Sequence, residues 1–169
     1  MPITVVDLWT DGSGTSDCHP GGWAYVLTTA DPITGIQHTK ERSGRTYQAT
    51  NNRMELTAAI EGLNAIIMPS CVVVHTDSQY VCKAFTEDYV TAWQERKWRK
   101  VKNVDLWRKL IHQVDRHHLV RWKWVPRDAG FPLNERCDLL AGQERRAAIA
   151  ELAEGTEKLP GDAGVSASD

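Results

Sequence analysis

The chain has 169 residues and a formal net charge of −2, with 41% apolar and 25% charged residues. These are ordinary globular values, and the length suits one domain that buries its own core. No apolar run is long enough to span a membrane and no secretory signal opens the chain, so a cytoplasmic monomer is expected.

Val5 to Thr10 reads as a strand that stops at the turn signal Asp11-Gly12-Ser13-Gly14. Gly22 to Thr28 reads as a second strand and Ile36 to Ser43 as a third, with Asp31-Pro32 and Gly35 marking the turn between them. Short connections make these three an antiparallel meander. A helix follows from about Asn52 to Ile67, with Leu56, Ile60, Leu63 and Ile67 on one apolar stripe. Cys71 to Val74 is a short apolar run typical of a strand buried on both faces. Ser78 to Phe85 and Val104 to His117 read as helices, Leu119 to Val125 as a strand, and Asn134 to Leu152 as a last helix. The order βββαβααβα predicts an α/β fold: a mixed five-stranded sheet, three strands antiparallel and two parallel, with helices on both faces. Residues 1–154 form the expected domain, and the small, polar stretch 155–169 reads as a disordered tail.

The acidic total argues weakly against a nucleic-acid partner, because phosphate binding leaves a basic footprint. The charge is unevenly spread, however. Arg96, Lys97, Arg99, Lys100 and Lys102 cluster around Trp98, while Asp11, Glu55 and Asp77 stand elsewhere, so a basic groove beside an acidic pocket is compatible with the total. Cys18, Cys71, Cys82 and Cys137 form no Cys-x-x-Cys pair and read as reduced thiols.

Asp11 and Asp77 each follow a predicted strand, Glu55 lies near the start of a helix and Asp138 near the start of another. If the two strands are parallel neighbours, both aspartates emerge at the carboxyl edge where open α/β sheets bind ligands. Four converging carboxylates need a cation, and Mg²⁺ suits such hard oxygen donors. Taken singly, each acid has a plainer role: Asp77 could cap the helix after it, and Glu55 could close a capping box with Asn52.

Five segments together resemble the type 1 ribonucleases H. They are Asp11-Gly12-Ser13, Thr50-Asn51-Asn52-Arg53-Met54-Glu55-Leu56, Thr76-Asp77-Ser78-Gln79-Tyr80-Val81, Val101-Lys102-Asn103-Val104-Asp105-Leu106-Trp107 and Asn134-Glu135-Arg136-Cys137-Asp138. They come in family order at family-like spacing, across about residues 3–153. The resemblance implies a ribonuclease H-like fold and a nuclease that cuts the RNA strand of RNA–DNA hybrids with two Mg²⁺ or Mn²⁺ ions, leaving 5′-phosphate and 3′-hydroxyl ends. It implies that Asp11, Glu55, Asp77 and Asp138 hold the metal. Gly12, Ser13, Asn51, Asn52 and Gln79 match positions facing the hybrid's minor groove, and Thr50 a phosphate-pocket position. Tyr89, Trp93, Trp98 and Arg99 fall in a segment similar to the family's basic protrusion, where aromatics meet sugars or bases and cations meet phosphates. Trp107, Trp122 and Trp124 read instead as core or sheet residues.

One departure stands out. The family loop normally reads Gly-His-Ala-Gly-His-Pro, whereas this chain has Arg127-Asp128-Ala129-Gly130-Phe131-Pro132. Asp128 thus replaces the working histidine. It can accept a proton, but its reference pKa of about 3.9 is low for that work at neutral pH. Three consequences are open: a slowed enzyme, an added metal ligand, or a hybrid-binding module with little catalysis. The first is favoured because all four metal carboxylates are present. Another nuclease or an integrase of the same wider fold is the remaining alternative, against which Asn51-Asn52 and the basic segment count.

Overall fold

The structure is a computed structural model and describes residues 3–157. Its elements run β1 (Val5–Ser13), β2 (His19–Ala30), β3 (Gln37–Ala49), α1 (Asn51–Ala65), β4 (Cys71–Thr76), α2 (Gln79–Thr86), α3 (Tyr89–Glu95), α4 (Val104–Asp115), β5 (Leu119–Trp124) and α5 (Pro132–Glu157). The strands form one five-stranded sheet in the order β3-β2-β1-β4-β5. β1 and β3 each pair antiparallel with β2, while β4 runs parallel to both β1 and β5. This is the expected mixed sheet and element order, with the short helix α3 added. α3 has no fully buried residue, only Val90 and Trp93 half-buried against the core, so no full apolar stripe announces it in the sequence.

Alternating side chains of the central strands give the sheet two apolar faces. Val6, Leu8, Tyr25 and Leu27 pack with Leu56, Leu63, Trp107 and Leu110 of α1 and α4. Ala24 and Val26 meet Cys137 and Ala141 of α5 on the other face, with Trp9 packed alongside. α5 comes close because Gly22 has no side chain; a Cβ there would lie 2.1 Å from the Ala141 carbonyl oxygen.

Several boundaries differ from expectation: β1 runs on to Ser13 and β3 to Ala49, and the ends of α1 and α5 also move. α1 ends at Ala65, and Ile67, expected on its core stripe, is 84% exposed. Pro69 follows, and the residue before a proline is pushed out of the helical region. Arg116 helps to satisfy the terminal carbonyls, its guanidinium donating to Leu63 O and Ile66 O at 3.0 Å each, while Leu63 O also accepts from Ile66 N at 3.2 Å. At the other end, α5 continues to Glu157, past the expected boundary at Gly155. The rest of the expected tail lies outside the described residues.

Candidate active site

Asp11 lies inside β1, paired with Ala24, rather than after the strand's end. Gly12 beside it lets β1 press onto α1: a Cβ there would meet the Glu55 amide nitrogen at 2.4 Å. That close approach brings Glu55, in the second turn of α1, against Asp11. Thr50 is the N-cap of α1, its hydroxyl accepting from Arg53 N at 3.3 Å, so Glu55 closes no capping box and is buried instead. Asp77 follows the last residue of β4, and Ser78, not Asp77, caps α2 by accepting from Val81 N at 3.2 Å. The plainer roles available to these acids in the sequence are therefore filled by neighbours.

Oxygens of Asp11, Glu55 and Asp77 lie within 4.8 Å of one another. Asp11 Oδ2 and Glu55 Oε2 are buried without a hydrogen-bond partner. Burial, and then the charge of Asp77, pushes the Asp11 carboxyl up to about 8. Burial raises Glu55 well above the usual range, with the Asp11 charge next. Asp77 is raised by burial although Arg127 pulls it the other way. Unpaired buried carboxylate oxygens are costly alone and are the natural ligands of a hard divalent cation, so the three residues could hold one. Asp138 and Asp128 stand outside this set. The Asp138 carboxylate is nonetheless close enough to raise both Asp11 and Asp77 by its charge. Asp128 is exposed and has a left-handed backbone, with φ 57°.

Around the triad, Asn51, Asn52 and Gln79 line one groove together with Glu55, Asp77 and Arg127. Asn51 and Asn52 also line a second groove with Gly14, Thr15, Thr50, Lys102 and Asn103. Asn51 N donates to Thr15 O at 2.8 Å, which ties the segment after β1 to the start of α1 and explains why Thr15 and Thr50 share this surface. Trp93 and Trp98 are half-buried. Trp93 stands edge-on to the buried Trp107 with centroids 4.9 Å apart, and Trp98 lies beside Trp93 at 6.2 Å, so both rings root their segment in the core. Tyr89 and Arg99 are exposed, as are Arg96, Lys97 and Lys100.

Arg127 is a site residue that the sequence motifs do not single out. Its Nε lies 3.4 Å from Asp77 Oδ2. The one signal in the sequence is its position, since Arg127 stands where the family loop has glycine.

The family model described as RNase H matches residues 4–146. The chain belongs to the ribonuclease H family. A ribonuclease H from Bordetella pertussis is 47% identical over 148 residues, spanning 85% of this chain and 90% of that protein. Among solved structures, LC9-RNase H1, described as a type 1 RNase H with the type 2 active-site motif, aligns with a TM-score of 0.79 at 28% identity, covering 88% of this chain and 75% of that one. The fold of LC11-RNase H1, solved in complex with an RNA/DNA hybrid, aligns at a TM-score of 0.62 and 21% identity, covering 85% and 99%. This chain is thus a ribonuclease H enzyme, with the mixed sheet and acidic cluster of its fold.

Proposed function

We propose that this ribonuclease H hydrolyses the RNA strand of RNA–DNA hybrids in a divalent-metal-dependent reaction, giving 5′-phosphate and 3′-hydroxyl ends. The observation that carries the reading is the Asp11–Glu55–Asp77 triad with its two buried, unpartnered oxygens. Asp138, whose charge reaches the triad, completes the assigned metal set. When bound, two Mg²⁺ ions, or Mn²⁺ in their place, supply a polarised water and charge neutralisation at the phosphate.

The chain's own residues do the rest. Asn51, Asn52 and Gln79 present short amides that can donate to and accept from a 2′-hydroxyl, Ser13 adds a hydroxyl, and Gly12, pressed against α1, offers backbone only. Such contacts read groove shape and sugar identity, so cutting tolerates any base sequence. Thr50 and its groove take a backbone phosphate. Tyr89, Trp93, Trp98 and Arg99 lie along the DNA strand, where the exposed cations of that segment meet its phosphates. In the reaction the water oxygen bonds to phosphorus as the phosphorus–O3′ bond breaks. One water proton departs and the 3′-oxygen gains one; Asp128 is the loop group assigned to that exchange with solvent.

The test is a substrate panel of hybrid, duplex DNA and duplex RNA in Mg²⁺. Cleavage of the hybrid alone, falling by on the order of 10³ in Asp11→Asn, is expected from the loss of several kcal/mol of metal-assisted stabilisation. Equal cutting of duplex DNA, or full activity in Asp11→Asn, contradicts the reading.

A further inference from the structure

The loop between β5 and α5 is clamped at both ends. Val125 N donates to Thr76 O at 2.9 Å, and Trp124 Nε1 donates to the Asp77 carbonyl oxygen at 3.2 Å. At the far end Phe131 packs on Trp9, with ring centroids 6.0 Å apart. Left-handed backbones at Asp128 and Gly130 turn the chain between these anchors. The loop therefore has little choice about where it starts, and Arg127, two residues past Val125, is delivered over Asp77.

The Arg127–Asp77 contact is nevertheless loose. Its single 3.4 Å approach is longer than the roughly 2.7–2.9 Å of a well-formed charge-assisted bond. The Arg127 side chain is 61% exposed whereas that of Asp77 is 5% exposed. Asp11 and Asp138 add to the field that holds the guanidinium there. A guanidinium keeps its charge at any working pH, and its planar fork matches a phosphate with two parallel N–H donors. A divalent cation taking Asp77 would both outcompete and repel it.

We propose that Arg127 is a tethered counter-cation. It neutralises Asp77 in the metal-free enzyme and is released by the incoming metal to bind a phosphate of the substrate in the adjoining groove. The inference rests on the metal-dependent hybrid-cleaving reading above. It gives the loop a function of its own: the cation comes from Arg127, in the position where the family loop carries no side chain.

Two measurements on the intact chain and on Arg127→Ala and Arg127→Lys test it. The first is Mn²⁺ affinity without substrate, by titration calorimetry or electron paramagnetic resonance. Removing the competitor in Arg127→Ala should tighten Mn²⁺ binding about 3- to 10-fold, and Arg127→Lys should stay near the parent. The second is hybrid affinity against salt with Ca²⁺ as the loaded ion and cutting monitored. Arg127→Ala should weaken binding several-fold and reduce the salt slope by about one, and Arg127→Lys should keep the slope. Unchanged Mn²⁺ affinity, or an unchanged slope, in Arg127→Ala overturns the proposal. Hybrid cleavage by the parent decides the underlying reading separately. If the parent fails to cut, that reading falls; if it cuts while either Arg127→Ala response is flat, only the role of Arg127 falls.

Discussion

Asp128 sits at the exposed turn of the β5–α5 loop, with φ 57°, a backbone state that Asp tolerates better than most residues. Its neighbour Arg127 leans on Asp77, so the loop pairs an anion with a cation where the family pattern has a glycine and a histidine. A carboxylate is a poor proton carrier at neutral pH, and one well-placed acid–base group is typically worth about 10²–10⁴-fold. Changing Asp128→His should therefore raise kcat on the hybrid at pH 7–8 by tenfold or more, with a small change in KM. Steady-state kinetics across pH measures this, and an unaltered kcat would remove Asp128 from the proton step. The exposed position makes the substitution structurally mild, which keeps the comparison clean.

At the level of elements, the site depends on how closely β1 lies on α1. Glu55 faces Asp11 because nothing projects from Gly12 between them. A Cβ at residue 12 would meet backbone atoms, the Glu55 nitrogen at 2.4 Å and the Met54 carbonyl carbon at 2.6 Å, so the helix itself would have to move. Gly12→Ala is expected to cost about 1–3 kcal/mol of stability as an overpacking strain and to depress hybrid cleavage further than stability accounts for. Thermal unfolding and kcat of the folded variant, measured together, check both parts. A second junction is held from the side: the Arg53 guanidinium grips Asp105 through two bonds of 2.9 and 2.7 Å and joins α1 to α4. Tyr80 OH accepts from both Asn103 Nδ2 and Trp107 Nε1 at 3.1 Å, which carries α2 into the same corner. From that corner Trp107 supports Trp93 and the basic segment. Lys97, Trp98, Lys100 and Asn103 all adopt left-handed backbones there, a succession of tight reversals that packing on the core sustains.

For the whole molecule, gathering acids at one sheet edge makes stability depend on pH and metal. Asp11 has a folded-state pKa of about 8 against an ordinary value of 3.8. Between those values the folded protein holds a proton that the unfolded chain releases, so raising the pH favours unfolding. In EDTA the melting temperature should fall from pH 6.5 to pH 8.5, and Asp11→Asn should flatten that slope. Mg²⁺ should restore stability at the higher pH by neutralising the same carboxylates. A melting temperature in EDTA that rises over this range would contradict the picture. Other groups act outside this window. Asp105, held down to about 2 by Arg53, contributes stability that is lost only as the pH falls below about 4. His117 is lowered by burial; its Nδ1 faces Ser70 N at 3.4 Å and its Nε2 faces Leu63 O at 3.2 Å. It favours the fold when neutral and loses that contribution as the pH falls below its ordinary range.

Much of this is legible in the linear order of residues. Strand alternation and helical spacing depend on residues close in sequence, so the core positions Leu56 and Leu63 and the mixed sheet follow from them. The carboxylates, the Asn51-Asn52 pair and the altered loop are legible as motifs, because local identity survives in linear order. The end of α1 is not, because its stopping point depends on Pro69 and on Arg116, which lies distant in the chain. α3 is unreadable because it sets only Val90 and Trp93 half-buried against the core, too few positions to show a helical stripe. Whether Asp77 and Glu55 cap helices or face a metal is equally undecidable from sequence, since one residue type serves both ends. Three-dimensional packing gives the caps to Ser78 and Thr50 and closes β1 onto α1 at Gly12, which brings the two acids together. The same packing sets Arg127 against Asp77, an ion pair between residues 50 apart in sequence. Sequence by itself determined which chemical groups this ribonuclease H owns and which elements carry them. Tertiary structure decided which of those groups meet, because contact between distant residues is set by register, helix approach and burial.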